Sequence, residues 1–327
     1  MTTSRQIHLV RRPDGMPVPS DFEVVEVDTP DASDGEVQVQ NILMSVDPYM
    51  RPRLTADQPL NVAMIGGGIG RVVQSRTPRF KEGDLVRHSA GMQELFTSDG
   101  KGMQVLQPDP TLSLTVYMHA LGGTGITAYG GLLETGSLKD GEQVFVSTAG
   151  GAVGSVVAQI AKIKGCYVVG STGSDEKMEW LRDTVGIDAV INYKTQPLAA
   201  ALKAATPNGI DVYFENVGGT HLDAALPRMN LRGRIPVCGM ISTYNGGGEG
   251  VRNLFNLIYG RIRMEGFVAS DFPHLQEAFV SDMTGWLKDG RVQYQETILD
   301  GFERAPEGLI GLFSGLNNGK MLIRVSN

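Results

Sequence analysis

A chain of 327 residues is too long for one compact core and has room for two domains. Hydrophobic residues at 41% and charged residues at 20% fit a soluble globular protein, and a formal net charge of −7, with no basic cluster denser than the Arg11-Arg12 pair, excludes nonspecific nucleic-acid binding. No apolar run is long enough to span a bilayer and the N-terminal MTTSRQIHLV has no hydrophobic signal core, so the expectation is a cytoplasmic protein with no membrane partner.

The first 120 residues read as an irregular β domain. Alternation in Glu23-Val24-Val25-Glu26-Val27 and from Glu36 to Ile42 predicts strands, while prolines and glycines recur too often for long helices. Gly66-Gly67-Gly68-Ile69-Gly70 has the look of a phosphate loop, but no helix follows it. A glycine-rich strand or bulge leading into Arg71-Val72-Val73 is the reading its neighbours favour. From Leu121 the texture changes, and residues 122–133 predict a loop feeding a helix.

The stretch from Gln143 to Lys177 carries the strongest signal. An apolar run, Val144 to Ser147, passes through a glycine-rich turn into the helical period Val153, Val156, Val157, Ile160 and Ile163, and a second apolar run starts at Tyr167. This is a strand-helix-strand unit of the length that parallel pairing requires. Ala149, Gly151 and Gly154 occupy the three small positions of the turn. Such a turn serves either a dinucleotide pyrophosphate or tight helix packing, and its place between strand and helix favours the cofactor.

The second strand ends in Gly170-Ser171-Thr172-Gly173-Ser174, with no carboxylate for ribose hydroxyls, and Lys177 follows where an ammonium can meet a 2′-phosphate. The cofactor expected is NADP(H). The competing reading is an acidic helix start, with Asp175 and Glu176 beside a solvated lysine. Strand and helix patterns then alternate to Cys238, so the fold expected is α/β with a doubly wound parallel sheet. Cys166 and Cys238 lie in apolar runs and read as packing. Two cysteines cannot build a four-cysteine zinc site, and none of His8, His88, His119, His221 and His274 stands in a ligand spacing, so no metal is expected.

Six short runs, in order along nearly the whole chain, carry a family resemblance. They are Ser45-Val46-Asp47-Pro48-Tyr49-Met50-Arg51, Gly125 to Tyr129, Gly151 to Val157, Glu215 to Gly219, Cys238 to Asn245 and Asn317-Asn318-Gly319-Lys320. The chain resembles the zinc-independent medium-chain dehydrogenase/reductase family, in the branch of prostaglandin reductases, plant alkenal double-bond reductases and bacterial curcumin reductases. The resemblance implies a mostly β, GroES-like substrate domain over 1–121, a Rossmann NADP-binding domain over 122–294, and a tail, 295–327, that completes one of them. It also implies hydride chemistry without a metal, because Ser45 and the Gly66 to Gly68 run stand where zinc-dependent members carry ligands.

Carried over by matching residues, the resemblance puts the backbone of Gly151, Ala152, Val153 and Gly154 on the pyrophosphate, Lys177 on the 2′-phosphate and Tyr193 beside it. Asn216 meets the central ribose region. Cys238, Ser242, Tyr244, Phe267, Val268 and Ala269 line the nicotinamide half, and Asn317 closes over it. For Tyr193 a plain strand-end aromatic, and for Asn317 a turn residue, stay open as alternatives. The implied reaction reduces the carbon-carbon double bond of an α,β-unsaturated ketone or aldehyde, with a tyrosine donating to the carbonyl oxygen as negative charge builds there. Tyr259 ranks first for that role, ahead of Tyr49 and Tyr244, with a packed helix-face aromatic as its alternative. Quinone reduction and nucleotide binding without turnover are the other two readings. A homodimer through the cofactor domains is expected, and residues 245–250 are the loop that sizes the substrate pocket.

Overall fold

The structure, a computed structural model, describes residues 2–248 and 250–326, so Glu249 of the 245–250 loop lies outside the described residues. The chain folds as two compact units, one of Met1–Met118, Glu296–Asn317 and Met321–Asn327, the other of His119–Gln295 and Asn318–Lys320.

In the first unit, β1 (Thr2–Leu9) and β2 (Phe22–Thr29) form an antiparallel ribbon running from Thr2↔Thr29 to Leu9↔Phe22. Next come β3 (Val37–Ser45), α1 (Met50–Ala56), β4 (Gly68–Ser75), β5 (Leu85–His88), β6 (Leu95–Ser98) and β7 (Gln104–Leu106). The predicted bulge or strand at GGGIG is β4. Glycine is required there because β4 crowds β3: a Cβ on Gly70 would lie 2.4 Å from Val39 Cγ1 and 2.8 Å from the Gln40 carbonyl oxygen.

The second unit opens with α2 (Gly123–Gly130) and then alternates: β8 (Gln143–Val146), α3 (Gly154–Ile163), β9 (Tyr167–Thr172), α4 (Asp175–Trp180), β10 (Ala189–Asn192), α5 (Leu198–Ala205), β11 (Ile210–Phe214), α6 (Gly219–Ala225), β12 (Met229–Val237), α7 (Asn256–Gly260), β13 (Arg263–Gly266) and α8 (Gln276–Lys288). The tail adds β14 (Glu296–Asp300), α9 (Ala305–Ser314) and β15 (Lys320–Arg324), and β15 pairs antiparallel with β3. The six-stranded sheet is parallel throughout, in the order β10-β9-β8-β11-β12-β13. Strand order therefore reverses between β8 and β11, and in such sheets a crevice for ligands opens at the strands' carboxyl ends there. Strands covered by helices on both faces must be apolar on both, which is why β8 and β11 read as unbroken runs. Phe145 and Tyr213, both fully buried, stack with ring centroids 4.8 Å apart in a core shared with Val169, Ile191 and Leu202. No helix among the described residues is long and apolar enough to cross a membrane.

His88 in the first unit and His221 in the second are buried where desolvation favours the neutral ring. His88 accepts at Nδ1 from the Ala90 N–H and donates from Nε2 to Asn41 Oδ1 at 2.6 Å, while His221 has no hydrogen-bond partner at either ring nitrogen among the described residues. Desolvation pushes both pKa values from 6.5 down to about 4. Between those values the unfolded chain binds protons that the folded chain does not, so stability is full above about pH 6.5 and is lost as pH falls toward 4. At pH 5 the two sites together should cost about 4 kcal/mol. A urea midpoint that is lower at pH 5 than at pH 7.5, with a smaller drop in His221→Phe, is the expected result; equal midpoints would remove this account.

Candidate active site

The turn after β8 is held by close backbone contacts. Thr148 takes φ +52°, a left-handed conformation that a β-branched residue adopts only under restraint. Ala149 N–H donates to the Ser171 carbonyl at 2.8 Å, and a Cβ on Gly170 would sit 2.7 Å from Ala149 Cβ, so turn and neighbouring strand each need the other small. A Cβ on Gly154 would come 2.3 Å from the Thr148 carbonyl oxygen. Only glycine lets α3 start so near the strand. No side chain caps α3; the Ser155 N–H is taken by the Gly151 carbonyl and the Val156 and Val157 N–H groups by the Val153 carbonyl, so the positive dipole end of the helix and the turn just before it are what an anion would meet. Fully buried His119 donates from Nε2 to the Ala152 carbonyl at 3.0 Å and steadies the turn from behind.

A returning segment completes it. Gly319 N–H donates to the Gly150 carbonyl at 3.3 Å, and Gly319 bridges Gly151 in parallel register. With φ +63° and no room for a Cβ, which would fall 1.8 Å from the Gln295 carbonyl oxygen, position 319 admits only glycine. Asn318 Nδ2 donates to Glu176 Oε1 at 2.7 Å. Asn317, expected to close over nicotinamide, belongs to the first unit and directly precedes this segment in the chain.

The end of β9 is a cationic corner. The Lys177 stem lies along Gly150, where an added Cβ would be 3.0 Å from Lys177 Cβ, and Ser174 Oγ accepts the Lys177 N–H at 3.4 Å. Tyr193 and Lys194 reach the same spot from the end of β10: a Cβ on Gly173 would lie 2.8 Å from the Tyr193 hydroxyl and 3.2 Å from Lys194 Cε. Desolvation lowers the Lys177 pKa, Glu176 opposes this, and Lys194 lowers it further. Two lysines close enough to repel one another, a tyrosine hydroxyl beside one of them and no ion pair of their own among the described residues fit a phosphate dianion. The flanking acids are turned to other work, Asp175 accepting from Asn192 Nδ2 at 2.7 Å and Glu176 from Asn318. Lys194 did not stand out in the sequence, where its only signal is its place next to Tyr193. The Tyr193 ring meets the His221 ring edge to face at 4.9 Å.

At the carboxyl ends of β11 and β12 the second half of the site forms. Asn216 Nδ2 donates to the Ser147 carbonyl at 2.7 Å, Cys238 N–H to the Glu215 carbonyl at 2.9 Å, and Ser242 Oγ to the Val217 carbonyl at 2.6 Å. Desolvation, with Glu215 adding to it, pushes the Cys238 thiol up to about 12, so it is no nucleophile. The Tyr244 hydroxyl accepts the Met240 N–H at 3.2 Å, and its pKa is raised by desolvation. Its proton stays on and is free to be donated. Phe267 turns its ring inward onto Phe214, centroids 5.9 Å apart, while Val268 is exposed and Ala269 opens a single 3-10 turn.

The other two tyrosines belong to other elements, Tyr49 to the first unit and Tyr259 to α7. Tyr49, in the first unit, precedes α1; desolvation and Asp47 push its phenol up to about 12 against the opposing pull of Arg53. Tyr259, on five-residue α7, is 78% exposed. Leu257, two residues earlier, packs into the core beside Leu226, and the chain then enters β13 at its amino end, where Arg263 aligns with Arg234. Tyr259 therefore stands toward the amino ends of the strands, opposite the carboxyl ends that hold Asn216 and Cys238. Of the arginines near Tyr49, Arg51 is buried and donates to the Gly15 carbonyl at 2.6 Å, and Arg53 pairs with Asp57.

Residues 5–106 match the family described as the N-terminal domain of oxidoreductase, and residues 152–284 match the zinc-binding dehydrogenase family. The NADP(+)-dependent 2-alkenal reductase of Nicotiana tabacum is 44% identical over 99% of this chain and 98% of its own length. The chain belongs to the medium-chain dehydrogenase/reductase family. Within the family, the NADPH-dependent curcumin reductase of Escherichia coli strain K12 is 39% identical over 99% of this chain and 97% of its own. The crystal structure of CurA in complex with NADPH from Vibrio vulnificus matches with a TM-score of 0.93 at 38% identity, covering 99% of each chain. The second family description names zinc; among the described residues no group of three or more His, Cys, Asp or Glu side chains is placed to hold a metal ion.

Proposed function

We propose that this protein reduces the carbon-carbon double bond of α,β-unsaturated ketones or aldehydes with NADPH as the hydride donor. The observation that carries the cofactor half of this reading is the Lys177, Lys194 and Tyr193 corner beside a glycine turn at an uncapped helix start. Bound NADPH supplies a hydride. The chain's own task is to seat the substrate and to donate a hydrogen bond where negative charge grows on the carbonyl oxygen. Tyr244 is the proposed donor, ahead of Tyr259, because its protonated hydroxyl sits at the carboxyl ends of the strands with its orientation set by the Met240 N–H. Tyr49 is the candidate from the first unit. The assay that tests the reaction follows loss of NADPH absorbance with an alkenone and, separately, with a quinone. Oxidation with the quinone alone would replace this reading with quinone reduction, and binding without oxidation of either would leave a nucleotide-binding protein.

Cofactor choice has its own test. Lys177→Ala should weaken NADPH by about 1.5–3 kcal/mol, the worth of a hydrogen bond to a charged group, and leave NADH nearly unchanged. Lys194→Ala should act in the same direction with a smaller effect, since its ammonium is exposed. Equal losses for both cofactors, measured by calorimetry, would count against a 2′-phosphate at this corner.

We propose assembly as a homodimer, a reading that the open edge of the parallel sheet supports. All four residues of β13 are exposed, and Phe255, Ile258, Tyr259 and Val268 leave an apolar surface around it. An unpaired strand edge flanked by exposed apolar side chains is unstable as a free surface, and pairing it with its own copy satisfies both needs. Ile258→Glu should disturb the monomer little, as the side chain is 73% exposed, yet shift sedimentation from a dimer to the 35.2 kDa species. A wild-type chain that sediments as a monomer at micromolar concentration would exclude it. Two unpaired cysteines, Cys166 and Cys238, suit the reducing cytoplasm.

A further inference from the structure

Glu215, one residue past β11, is completely buried. Removing a carboxylate from water costs several kcal/mol unless its oxygens are used. Oε1 accepts from the Val217 N–H at 2.6 Å and from Ser147 Oγ at 3.0 Å, while Oε2 has no hydrogen-bond partner among the described residues. Desolvation raises the Glu215 pKa, with the backbone donors of Gly218 and Val217 pulling the other way.

The donor-acceptor order of the neighbours then follows from one proton. Ser147 Oγ donates to Glu215 Oε1 at 3.0 Å, with the Phe214 carbonyl as a longer second acceptor at 3.4 Å, and its oxygen accepts from the Asn216 N–H at 2.9 Å. The Asn216 side chain donates from Nδ2 to the Ser147 carbonyl, which decides the orientation of the amide. Its Oδ1 accepts no hydrogen bond among the described residues and remains as an acceptor. From the other side, the loop that carries Tyr244 hangs on three successive carbonyls: Cys238 and Gly239 N–H on Glu215, Ile241 N–H on Asn216 and Ser242 N–H on Val217. One buried carboxylate thus stands where β8, β11 and the Tyr244 loop meet.

We propose that Glu215, acting through Ser147, is a positioning residue for the hydride-transfer end of the cofactor: it holds Asn216 with Oδ1 turned to accept from a ribose hydroxyl of the nicotinamide nucleoside. The proposal rests on the NADPH reading above. Lysine and tyrosine at the other end recognise the adenosine 2′-phosphate without its help, so the two halves of the cofactor should respond differently to its loss.

The test measures binding of NADPH and of 2′,5′-ADP, which carries the adenosine phosphates and lacks the nicotinamide nucleoside, to wild type, Ser147→Ala, Glu215→Gln and Glu215→Leu. Ser147→Ala is expected to weaken NADPH about tenfold, as loss of one well-placed hydrogen bond does, and to change 2′,5′-ADP by less than about twofold. Glu215→Gln keeps the Oε1 acceptor and should lose only about threefold, whereas Glu215→Leu should lose at least as much as Ser147→Ala. Should Glu215→Leu fail to fold, Ser147→Ala alone decides. Equal weakening of both ligands in Ser147→Ala would mean a collapsed turn and overturn the positioning role, as would no weakening of either. Wild type that binds neither ligand would overturn the NADPH reading itself, and this inference with it.

Discussion

Gly151→Val is expected to abolish measurable NADPH binding in a protein that still folds. The space around position 151 is tight but not closed: an added Cβ would meet Thr148 Cγ2 at 3.0 Å and the Thr148 carbonyl oxygen at 3.2 Å, contacts that a shift of a few tenths of an ångström relieves. The two methyl groups beyond it have no such relief, because they project where a pyrophosphate must approach the backbone. Losing two charge-assisted hydrogen bonds of roughly 1.5–3 kcal/mol each weakens binding by more than about a hundredfold. Gly154→Ala makes an informative contrast. There even one methyl carbon would lie 2.3 Å from a carbonyl oxygen, so the junction of β8 and α3 itself must move, and thermal stability should fall along with affinity. Calorimetry and circular dichroism together separate the two outcomes. Wild-type affinity in folded Gly151→Val would show that the turn serves packing alone.

Tyr244→Phe is expected to lower turnover by about a hundredfold while leaving the NADPH dissociation constant unchanged. A donor aimed at charge that develops only in the transition state contributes little to ground-state binding, so its removal appears in kcat. Phenylalanine keeps the ring and removes only the hydroxyl, whose loss also frees the Met240 N–H; that amide can turn to water, since the loop is partly exposed. Tyr259→Phe should cost a few-fold at most, because its hydroxyl lies on an exposed helix with no hydrogen-bond partner among the described residues. The reverse order, a large loss in Tyr259→Phe and little in Tyr244→Phe, would return the role to Tyr259. A chelator should affect neither variant.

Much of the cofactor unit is legible before folding, because strands buried on both faces are written as continuous apolar runs. Val144 to Ser147 and the run that starts at Tyr167 locate β8 and β9 to within a residue, and the alternation read on to Cys238 is the succession from β9 to β12. The edge is different. Arg263-Met264-Glu265-Gly266 shows neither alternation nor an apolar run, since β13 is exposed along its length, and it pairs only because β12 offers an open side. The helix that starts at Asp175 gives way after Trp180 to a π-helical turn that Gly186 closes with φ +72°, a change no residue pattern marks. At the site, the turn glycines and Lys177 announce themselves by type and spacing, and Tyr193 is marked only by the family resemblance. Ser147, Lys194 and Glu215 do not, for each reads as an ordinary polar residue at a strand end. Parallel pairing of β8 with β11 is what brings Ser147 and Glu215 to 3.0 Å, and no local pattern encodes a contact across that distance in sequence.

The bond between Gly319 and Gly150 also orders events during synthesis. Every strand of the parallel sheet leaves the ribosome well before Gly319 does, so the nascent second unit can assemble its core while its nucleotide turn still lacks the neighbour that bridges Gly151. A chain halted at Gln295 would hold the whole sheet and a loosened turn. A product that stops at Gln295 should therefore keep the circular dichroism of the sheet and hold the dinucleotide more weakly than the full chain.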